Sequence, residues 1–344
     1  MQYFNQEVLT ELTKVGVLLS DEEKTAYVMA CRKVEQGHRE YKTKKNTDMG
    51  RRFSVWHTPV SDNNDQLNHW LVLPGFQNWK TKGKLVVSKV FLNILTAEKK
   101  FVKVRRPETQ NAAHHLVTSE SEFINAQSMG VKAQHYSRYS LIKGTKAYLF
   151  QPYRGRQNLY DFVLDPATSS RQIINMLLTS AELLQRLHAR GFLHLDIKPQ
   201  NYVVSDDKQN LTLVDLELML TVGKGAKGLQ YITGTELFMH PEWLDKNYLR
   251  IAQGQSVHYS THNDIAAFLI MAELMLGTAF QKEQDPEFQQ EIRRIGMKIK
   301  QMKNLSFESL PDLSTVQTTL SDLVQPELLN ESYPAQQQYR RHKM

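Results

Sequence analysis

The stretch HLDIKPQNYVVSDDKQNLTLVD, residues 194–215, decides the fold of this chain. Its apolar segments, 202–204 and 211–214, are separated by a polar turn, a pattern typical of two short strands in a hairpin. Such a hairpin would bring Asp196, Asn201 and Asp215 to one end. Three oxygen-bearing side chains at that end could surround a nucleotide loaded with Mg²⁺, so the spacing indicates a site for phosphoryl transfer.

The start of this stretch resembles the catalytic loop of protein kinases, His-x-Asp-x-Lys-Pro-x-Asn, and Asp215-Leu-Glu217 is similar to the Asp-Phe-Gly metal motif of that family. The resemblance implies that Asp196 orients a substrate hydroxyl and takes its proton, while Lys198 neutralises charge on the transferring phosphoryl group. It also implies that Asn201 and Asp215 bind the metal ion. A metaphosphate-like transition state needs alignment and cations more than covalent chemistry, so these side chains suit the reaction.

A second motif, GTELFMHPE at residues 234–242, resembles the end of a kinase activation segment that binds the substrate. Pro241 and Glu242 occupy the positions of the family's Pro-Glu pair. By the same resemblance, Thr235 is expected to bridge the catalytic aspartate and lysine. The late part of the sequence offers no obvious arginine to pair with Glu242, which suggests a shortened C-lobe.

Asp264 opens the apolar segment Ile265–Leu276, much as the buried aspartate of the kinase F helix does. The resemblance implies that it bonds the backbone of the catalytic loop, although taken alone it could also be an N-cap. Two residues depart from the family pattern. Leu195 replaces an arginine that reads a phosphorylated activation segment, so we expect no requirement for that phosphorylation. Glu217 replaces a glycine, which removes backbone freedom and adds a carboxylate near the metal.

The segment around Lys103 resembles the strand whose lysine grips the α- and β-phosphates of ATP. Its acidic partner is expected on the following helix. Glu120 is preferred, because it places Phe123 and Ile124 at the i+3 and i+4 positions where a packing face is needed. Glu122 is the reserve candidate.

The segment YLFQPYRG, residues 148–155, has the pattern of a strand that enters the hinge between two lobes. By the resemblance, backbone groups near Pro152 and Tyr153 meet the adenine edge, and Gln151 is the gatekeeper. The segment GKLVVSKV aligns with the glycine-rich loop, keeping Gly83 and Val90 but no other glycine. Val90 is therefore expected to cover the adenine, whereas the phosphate cradle is weakened, and an ordinary two-strand ribbon is the alternative.

The predicted fold is α+β and bilobal, a protein-kinase-like arrangement of a small β-rich N-lobe and a larger helical C-lobe. Capping and helical spacing predict an N-terminal helical extension over residues 1–47, with a capping box at Ser20 and Glu23. The N-lobe is assigned to residues 48–152, with strands at 69–73, 84–92, 100–105 and 148–151 and a helix at 112–129. The C-lobe is assigned to 153–330 and a disordered tail to 331–344.

The formal net charge of +7 predicts a polyanion site as an alternative to a solvated basic face. The ligand expected is an inositol phosphate or an anionic lipid head, with nucleic acid the least favoured. Such a ligand could order the small lobe and regulate the enzyme. The basic residues of this cluster are Lys42, Lys44, Lys45, Arg51, Arg52, Arg105 and Arg106.

A single cysteine, Cys31, favours a packed thiol and a reducing, cytoplasmic compartment. The sequence shows neither a Sec-type signal nor an apolar run long enough for a membrane span. Its degenerate loops and shortened C-lobe look like those of the kinase effectors, or virulence factors, that bacterial pathogens deliver into host cells. Neither the oligomeric state nor the substrate follows from the sequence.

The function implied is an ATP- and Mg²⁺-dependent (or Mn²⁺-dependent) protein kinase that acts on Ser or Thr hydroxyls of a protein substrate. One alternative is a catalytically impaired pseudokinase that binds partners. The loss of glycines from the glycine-rich loop and the presence of Glu217 favour it. The other is a small-molecule kinase of the choline or aminoglycoside type, which can carry Asp-Phe-Glu as its metal motif. Lys198-Pro199 and the 234–242 segment argue against the latter, because they resemble a peptide platform.

Overall fold

The computed structural model describes residues 3–35, 40–42, 54–58, 68–73, 86–105, 121–128, 135–141, 144–222, 227–229 and 231–323. The chain divides into two compact units, Met1–Arg154 and Gly155–Met344, close to the predicted boundary at residue 152. Several predicted features lie outside the described residues. They are Gly83, Glu120, Lys44, Lys45, Arg51, Arg52, Arg106 and the predicted tail, 331–344.

A seven-stranded antiparallel sheet is the framework of the smaller unit, in the order β1-β2-β3-β4-β5-β7-β6. The strands are β1 (Glu40–Lys42), β2 (Ser54–Thr58), β3 (Asn68–Val72), β4 (Val86–Asn93), β5 (Lys99–Arg105), β6 (His135–Leu141) and β7 (Gly144–Pro152). The four strands predicted from the sequence correspond to β3, β4, β5 and β7 and are confirmed. By contrast, β1, β2 and β6 were not predicted, and β1 lies within the range assigned to a helical extension.

Two helices precede the sheet, α1 (Gln6–Lys14) and α2 (Asp21–Glu35). Asn5 begins α1, because its side-chain oxygen accepts from the backbone nitrogen of Val8 at 2.9 Å. The predicted capping box of α2 is confirmed: Glu23 N donates to Ser20 Oγ at 3.2 Å, and Ser20 N donates to the Glu23 carboxylate at 2.8 Å. A further helix, α3, is described over residues 121–128, inside the predicted range.

The larger unit is mainly helical and is built around α7, half of whose 22 residues are buried. Its helices are α4 (Leu159–Leu164), α5 (Ser170–Ala189), α6 (Pro241–Ala252), α7 (Thr261–Lys282), α8 (Pro286–Lys303) and α9 (Leu313–Ser321). Short strands connect them: β8 (Gln157–Asn158), β9 (Phe192–Leu193), β10 (Tyr202–Val204), β11 (Leu211–Leu213), β12 (Leu220–Thr221), β13 (Lys227–Leu229) and β14 (Val257–His258). The predicted class, α+β with a strand-rich smaller unit and a larger helical unit, is confirmed.

Among the described residues, α7 is the one helix whose length and composition would suit a membrane span. Of its apolar window, 61% is buried inside the protein, and a buried core helix has the same composition. Its buried side chains pack on α5 and α8. We therefore describe α7 as the core helix of the larger unit.

Candidate active site

The predicted hairpin is present in the larger unit, where β10 and β11 pair with Tyr202 opposite Leu213. Asn201 directly precedes β10, and its backbone oxygen accepts from Val214 N at 2.8 Å. Asp215 follows one residue later in the left-handed conformation, with φ 66° and ψ 56°. A non-glycine residue in this conformation is uncommon, and it turns the chain sharply at the end of the hairpin.

The Asp196 carboxylate collects three hydrogen bonds at this end of the hairpin. Lys198 Nζ donates to Oδ2 at 2.6 Å and Asn201 Nδ2 donates to the same oxygen at 2.8 Å. Thr235 Oγ1 donates to Oδ1 at 2.6 Å and accepts from Lys198 Nζ at 2.8 Å, which is the predicted bridge. Ionised acceptors with several donors are held in one orientation, so Asp196 is pre-positioned.

Asp264, which is fully buried in α7, anchors the backbone of the catalytic loop. His194 N donates to its carboxylate at 2.8 Å and Leu195 N at 2.7 Å, while His188 Nε2 lies 3.0 Å away. Leu195 adopts φ 66°, which a leucine seldom does unless its surroundings require it. The contact predicted for Asp264 is therefore present, and the N-cap alternative is wrong because Ser260 begins α7.

Gly234 brings the activation-segment motif against the catalytic loop. Its φ is 110°, and a Cβ built on it would lie 2.2 Å from the backbone oxygen of Leu195. Any side chain would therefore clash with the backbone that precedes Asp196. Nearby, Thr233 N donates to the Tyr259 hydroxyl at 2.7 Å, and burial raises the pKa of Tyr259 to about 12. This phenol stays neutral as a support for the segment.

Pro241 and Glu242 begin α6, where proline is favoured because its missing N–H has no helical partner. The Glu242 carboxylate accepts from the backbone nitrogen of Phe307 at 2.8 Å. His240 Nε2 lies 3.0 Å from the backbone oxygen of Leu305 in the same segment. Within the part of the chain that the structure describes, Glu242 is thus anchored by main chain after α8.

Asp215 and Glu217 bring two carboxylates together, since an oxygen of each lies within 4.8 Å of the other. The residue between them, Leu216, is buried and fixes the short 3-10 turn Leu216–Leu218. This is the arrangement expected when glutamate replaces the glycine of the metal motif. The two acidic groups repel each other unless a cation lies nearby.

In the smaller unit, the partner of Lys103 is Glu122, not Glu120. Lys103 Nζ donates to both carboxylate oxygens of Glu122, at 2.8 and 2.9 Å, and Gln151 Nε2 donates at 2.8 Å. The prediction of Glu120 was wrong because it assumed that Phe123 and Ile124 form the packing face of α3. Ile124 is 53% exposed, whereas Glu122 is fully buried. A buried charge needs such partners, and sequence spacing does not show it.

The remaining residues predicted for the nucleotide are placed as follows. Val90 is buried in β4, and Gln151 and Pro152 end β7. Tyr153 follows, with Lys99 Nζ 4.3 Å from its ring centre. Gly83 lies outside the described residues, as does most of the proposed polyanion cluster. Lys42 and Arg105 end β1 and β5, respectively.

Comparison with known families agrees with this geometry. The model of the protein kinase domain matches residues 82–333, more than half of the chain. The chain therefore belongs to the protein kinase family. The match includes both the Lys103–Glu122 pair and the Asp196 loop.

Individual relatives are distant and are matched over part of their length. Serine/threonine-protein kinase D of Synechocystis sp. is 31% identical over 31% of this chain and 21% of its own. Maternal embryonic leucine zipper kinase of Danio rerio is 27% identical over 54% of this chain and 26% of its own. Calcium-dependent protein kinase 3 of Oryza sativa is 33% identical over 23% of this chain and 15% of its own. The chain thus covers about a quarter or less of these relatives.

Proposed function

We propose that this chain is an ATP- and Mg²⁺-dependent protein kinase that transfers the γ-phosphoryl group to Ser or Thr hydroxyls of a protein substrate. The observation that carries the proposal is the Asp196 carboxylate, which Lys198, Asn201 and Thr235 hold at 2.6–2.8 Å. Family membership supports the reaction type. The similarity to the Synechocystis relative, a serine/threonine-protein kinase, supports the choice of hydroxyl.

The donor set of the larger unit fits a magnesium ion. The Asn201 amide nitrogen donates to the Asp196 backbone oxygen at 2.7 Å and to its carboxylate at 2.8 Å, so the amide oxygen is the atom suited to a cation. Asp215, at the other arm of the hairpin, provides a carboxylate. Hard oxygen ligands of this kind suit Mg²⁺ and Mn²⁺. When bound, the metal nucleotide supplies the phosphoryl group and neutralising positive charge.

The protein's own residues then have separate tasks. Asp196 accepts a hydrogen bond from the substrate hydroxyl and takes its proton as the oxygen attacks, which aligns the nucleophile. Lys198, 21% exposed at its side chain, presents positive charge beside that carboxylate. Lys103 in the smaller unit offers a second cation, held in place by Glu122. Preorganised charges of this kind cost no reorganisation during the reaction.

The test is transfer of radiolabelled phosphate from ATP to a mixed protein substrate by the wild type, Asp196→Asn and Asp215→Ala. We expect both variants to lose about 10³-fold or more in kcat, because each removes a group that acts in the transition state. Asp245→Asn, on the exposed side of α6, is the matched control and should keep wild-type activity. Equal signals from all four proteins would contradict the proposal.

The pseudokinase is the second candidate, because Glu217 places another carboxylate beside Asp215. It predicts ATP binding without transfer, and without any difference between wild type and Asp196→Asn. A choline- or aminoglycoside-type kinase is distinguished by phosphate transfer to those small molecules and none to protein. Delivery into a host cell, and residence in a reducing cytoplasm, stay predictions from the sequence alone.

A further inference from the structure

The N-terminal extension packs into the same hydrophobic cluster as Val90, a residue predicted to contact adenine. On α1, the buried side chains Val8 and Leu12 face into a hydrophobic cluster of the smaller unit, and Val90 in β4 belongs to the same cluster. Val90 is only 1% exposed. The full set of buried members is Phe4, Val8, Leu12, Val17, Tyr27, Leu73, Val90, Leu92 and Ile94.

The cluster lies on the face of the sheet that carries Lys103. Val90 is directly opposite Phe101, and Phe101 is directly opposite Gln151. Residues directly opposite one another share a face, as do alternate residues of one strand, so Phe101 and Lys103 share it too. Phe101 and Tyr153 pack against the cluster from this side. The extension therefore occupies the sheet surface next to the Lys103–Glu122 pair.

Polar contacts fix the extension at the end of the sheet near the predicted hinge. Phe4 N donates to the Ile94 backbone oxygen at 3.0 Å, and Asn5 Nδ2 donates to the Leu95 backbone oxygen at 3.2 Å. The Glu11 carboxylate pairs with Lys99 Nζ at 2.8 Å. The same ammonium group lies over the ring of Tyr153. Docking is thus specific in both position and direction.

Because Val90 is almost fully buried, an adenine ring can reach it only if other side chains of the hydrophobic cluster move. We propose that residues 3–28 of the N-terminal extension form an autoinhibitory element whose docking beside Val90 competes with the adenine of ATP. This inference rests on the proposed function, since it assigns a regulator to the same nucleotide site. It also supplies a form of control that does not require a phosphorylated activation segment, in keeping with Leu195. A helix of nine residues has little stability alone, so α1 is suited to release.

The first test measures ATP affinity by calorimetry in the presence of Mg²⁺. Leu12→Ala removes a side chain that is 1% exposed in the docked state, and it should lower the Kd for ATP by about 10-fold or more, because weaker docking raises the competent fraction. Leu18→Ala makes the same substitution in the same segment at a side chain that is 74% exposed, and should leave the Kd unchanged. A fixed structural extension would instead give a lower Tm for Leu12→Ala with no gain in affinity.

Two further measurements avoid disturbing the apolar core. Glu11→Gln weakens the pair with Lys99 and should lower the Kd by about threefold, with the exposed Glu7→Gln as its control. Hydrogen exchange on the wild-type chain should show faster exchange over Gln6–Lys14 when Mg²⁺-ATP is added. Unchanged or slower exchange there at saturating ATP would overturn the proposal.

The outcomes separate this proposal from the proposed function. Transfer activity that is lost in Asp215→Ala, together with equal ATP affinity in wild type, Leu12→Ala and Glu11→Gln, would refute autoinhibition and leave the kinase assignment standing. Tighter ATP binding by both release variants without transfer to any protein would support the competition and refute the kinase activity. ATP binding by none of these proteins would refute both.

Discussion

Asp264 shows how one residue can hold a catalytic loop without contacting the substrate. Its buried carboxylate accepts from two consecutive backbone amides, at 2.8 and 2.7 Å, and thereby sets the orientation of the next residue, Asp196. We expect Asp264→Asn to lower the free energy of unfolding by about 2–3 kcal/mol, because the two backbone amides donate to different carboxylate oxygens and the asparagine NH₂ cannot accept from one of them. Urea unfolding measures this. Asp245→Asn, at an exposed position, should change it by less than about 0.5 kcal/mol.

Gly234 offers a prediction with a built-in control. Gly234→Ala would place a Cβ 2.2 Å from the Leu195 oxygen, whereas Gly254 also has a positive φ, 70°, but nothing within 4 Å. Gly254→Ala should therefore cost only the left-handed backbone strain, about 1–2 kcal/mol. Gly234→Ala should cost more in urea unfolding and should also lower kcat at saturating substrate. Equal losses of stability with full activity in both variants would contradict the close approach.

The Glu122 correction leads to a direct comparison of the two candidate partners. Glu122→Gln removes the buried carboxylate that accepts from the partly buried Lys103 ammonium, so we expect at least a 10-fold loss of kcat/KM. Glu120→Gln should have little effect on the same measurement. A reversed order of the two losses would show that the partner is Glu120. The sequence identified the residue type and the helix, but the burial of a charged side chain depends on Lys103 and Gln151, which lie elsewhere in the chain.

At the scale of elements, the sequence predicted what is encoded locally. The hairpin of residues 202–213 and the capping box of α2 are each complete within a short segment, and both were predicted. The edge strands were not. Strand β6 (His135–Leu141) is mostly polar and is defined by its pairing with β7, and β1 has only three residues. Such strands depend on a neighbour, so their own sequence carries a weak signal.

The end of α7 leads to a prediction on pH. Burial raises the pKa of the Glu283 carboxyl, but hydrogen bonds from the Ser170 hydroxyl and from the backbone nitrogens of Asp285 and Gln284 hold it below its usual value. A lowered pKa means that the ionised form stabilises the fold above about pH 4 and that this contribution is lost as the pH falls further. Glu283→Gln should lower the unfolding free energy at pH 7 by about 0.5–1 kcal/mol.

The control for Glu283 is the pH dependence itself. The difference in unfolding free energy between wild type and Glu283→Gln should shrink as the pH falls below about 4, because protonation makes the wild-type carboxyl neutral like the glutamine amide. Urea titrations at pH 7 and pH 3.5 measure it. A difference of the same size at both values would mean that the side chain acts by packing.

At the scale of the whole molecule, polyanion binding stays a prediction that rests on the net charge of +7. Inositol hexakisphosphate should raise the Tm by a few degrees and should do so less at high salt, because the attraction between exposed charges is screened. A variant with Lys44, Lys45, Arg51 and Arg52 replaced by Gln is the comparison protein and should lose the shift. No change in the Tm or in ATP affinity with the wild type would contradict this prediction.

Main-chain anchoring of Glu242 has a consequence for how this protein tolerates mutation. A salt bridge fails when either side chain is replaced, but the amide of Phe307 remains after every substitution except proline. The side chain at position 307 can therefore change without loss of this hydrogen bond, within the limits set by its packing on His240 and Trp243. The start of α6 thus keeps its anchor through the backbone, whatever the side chain at that position.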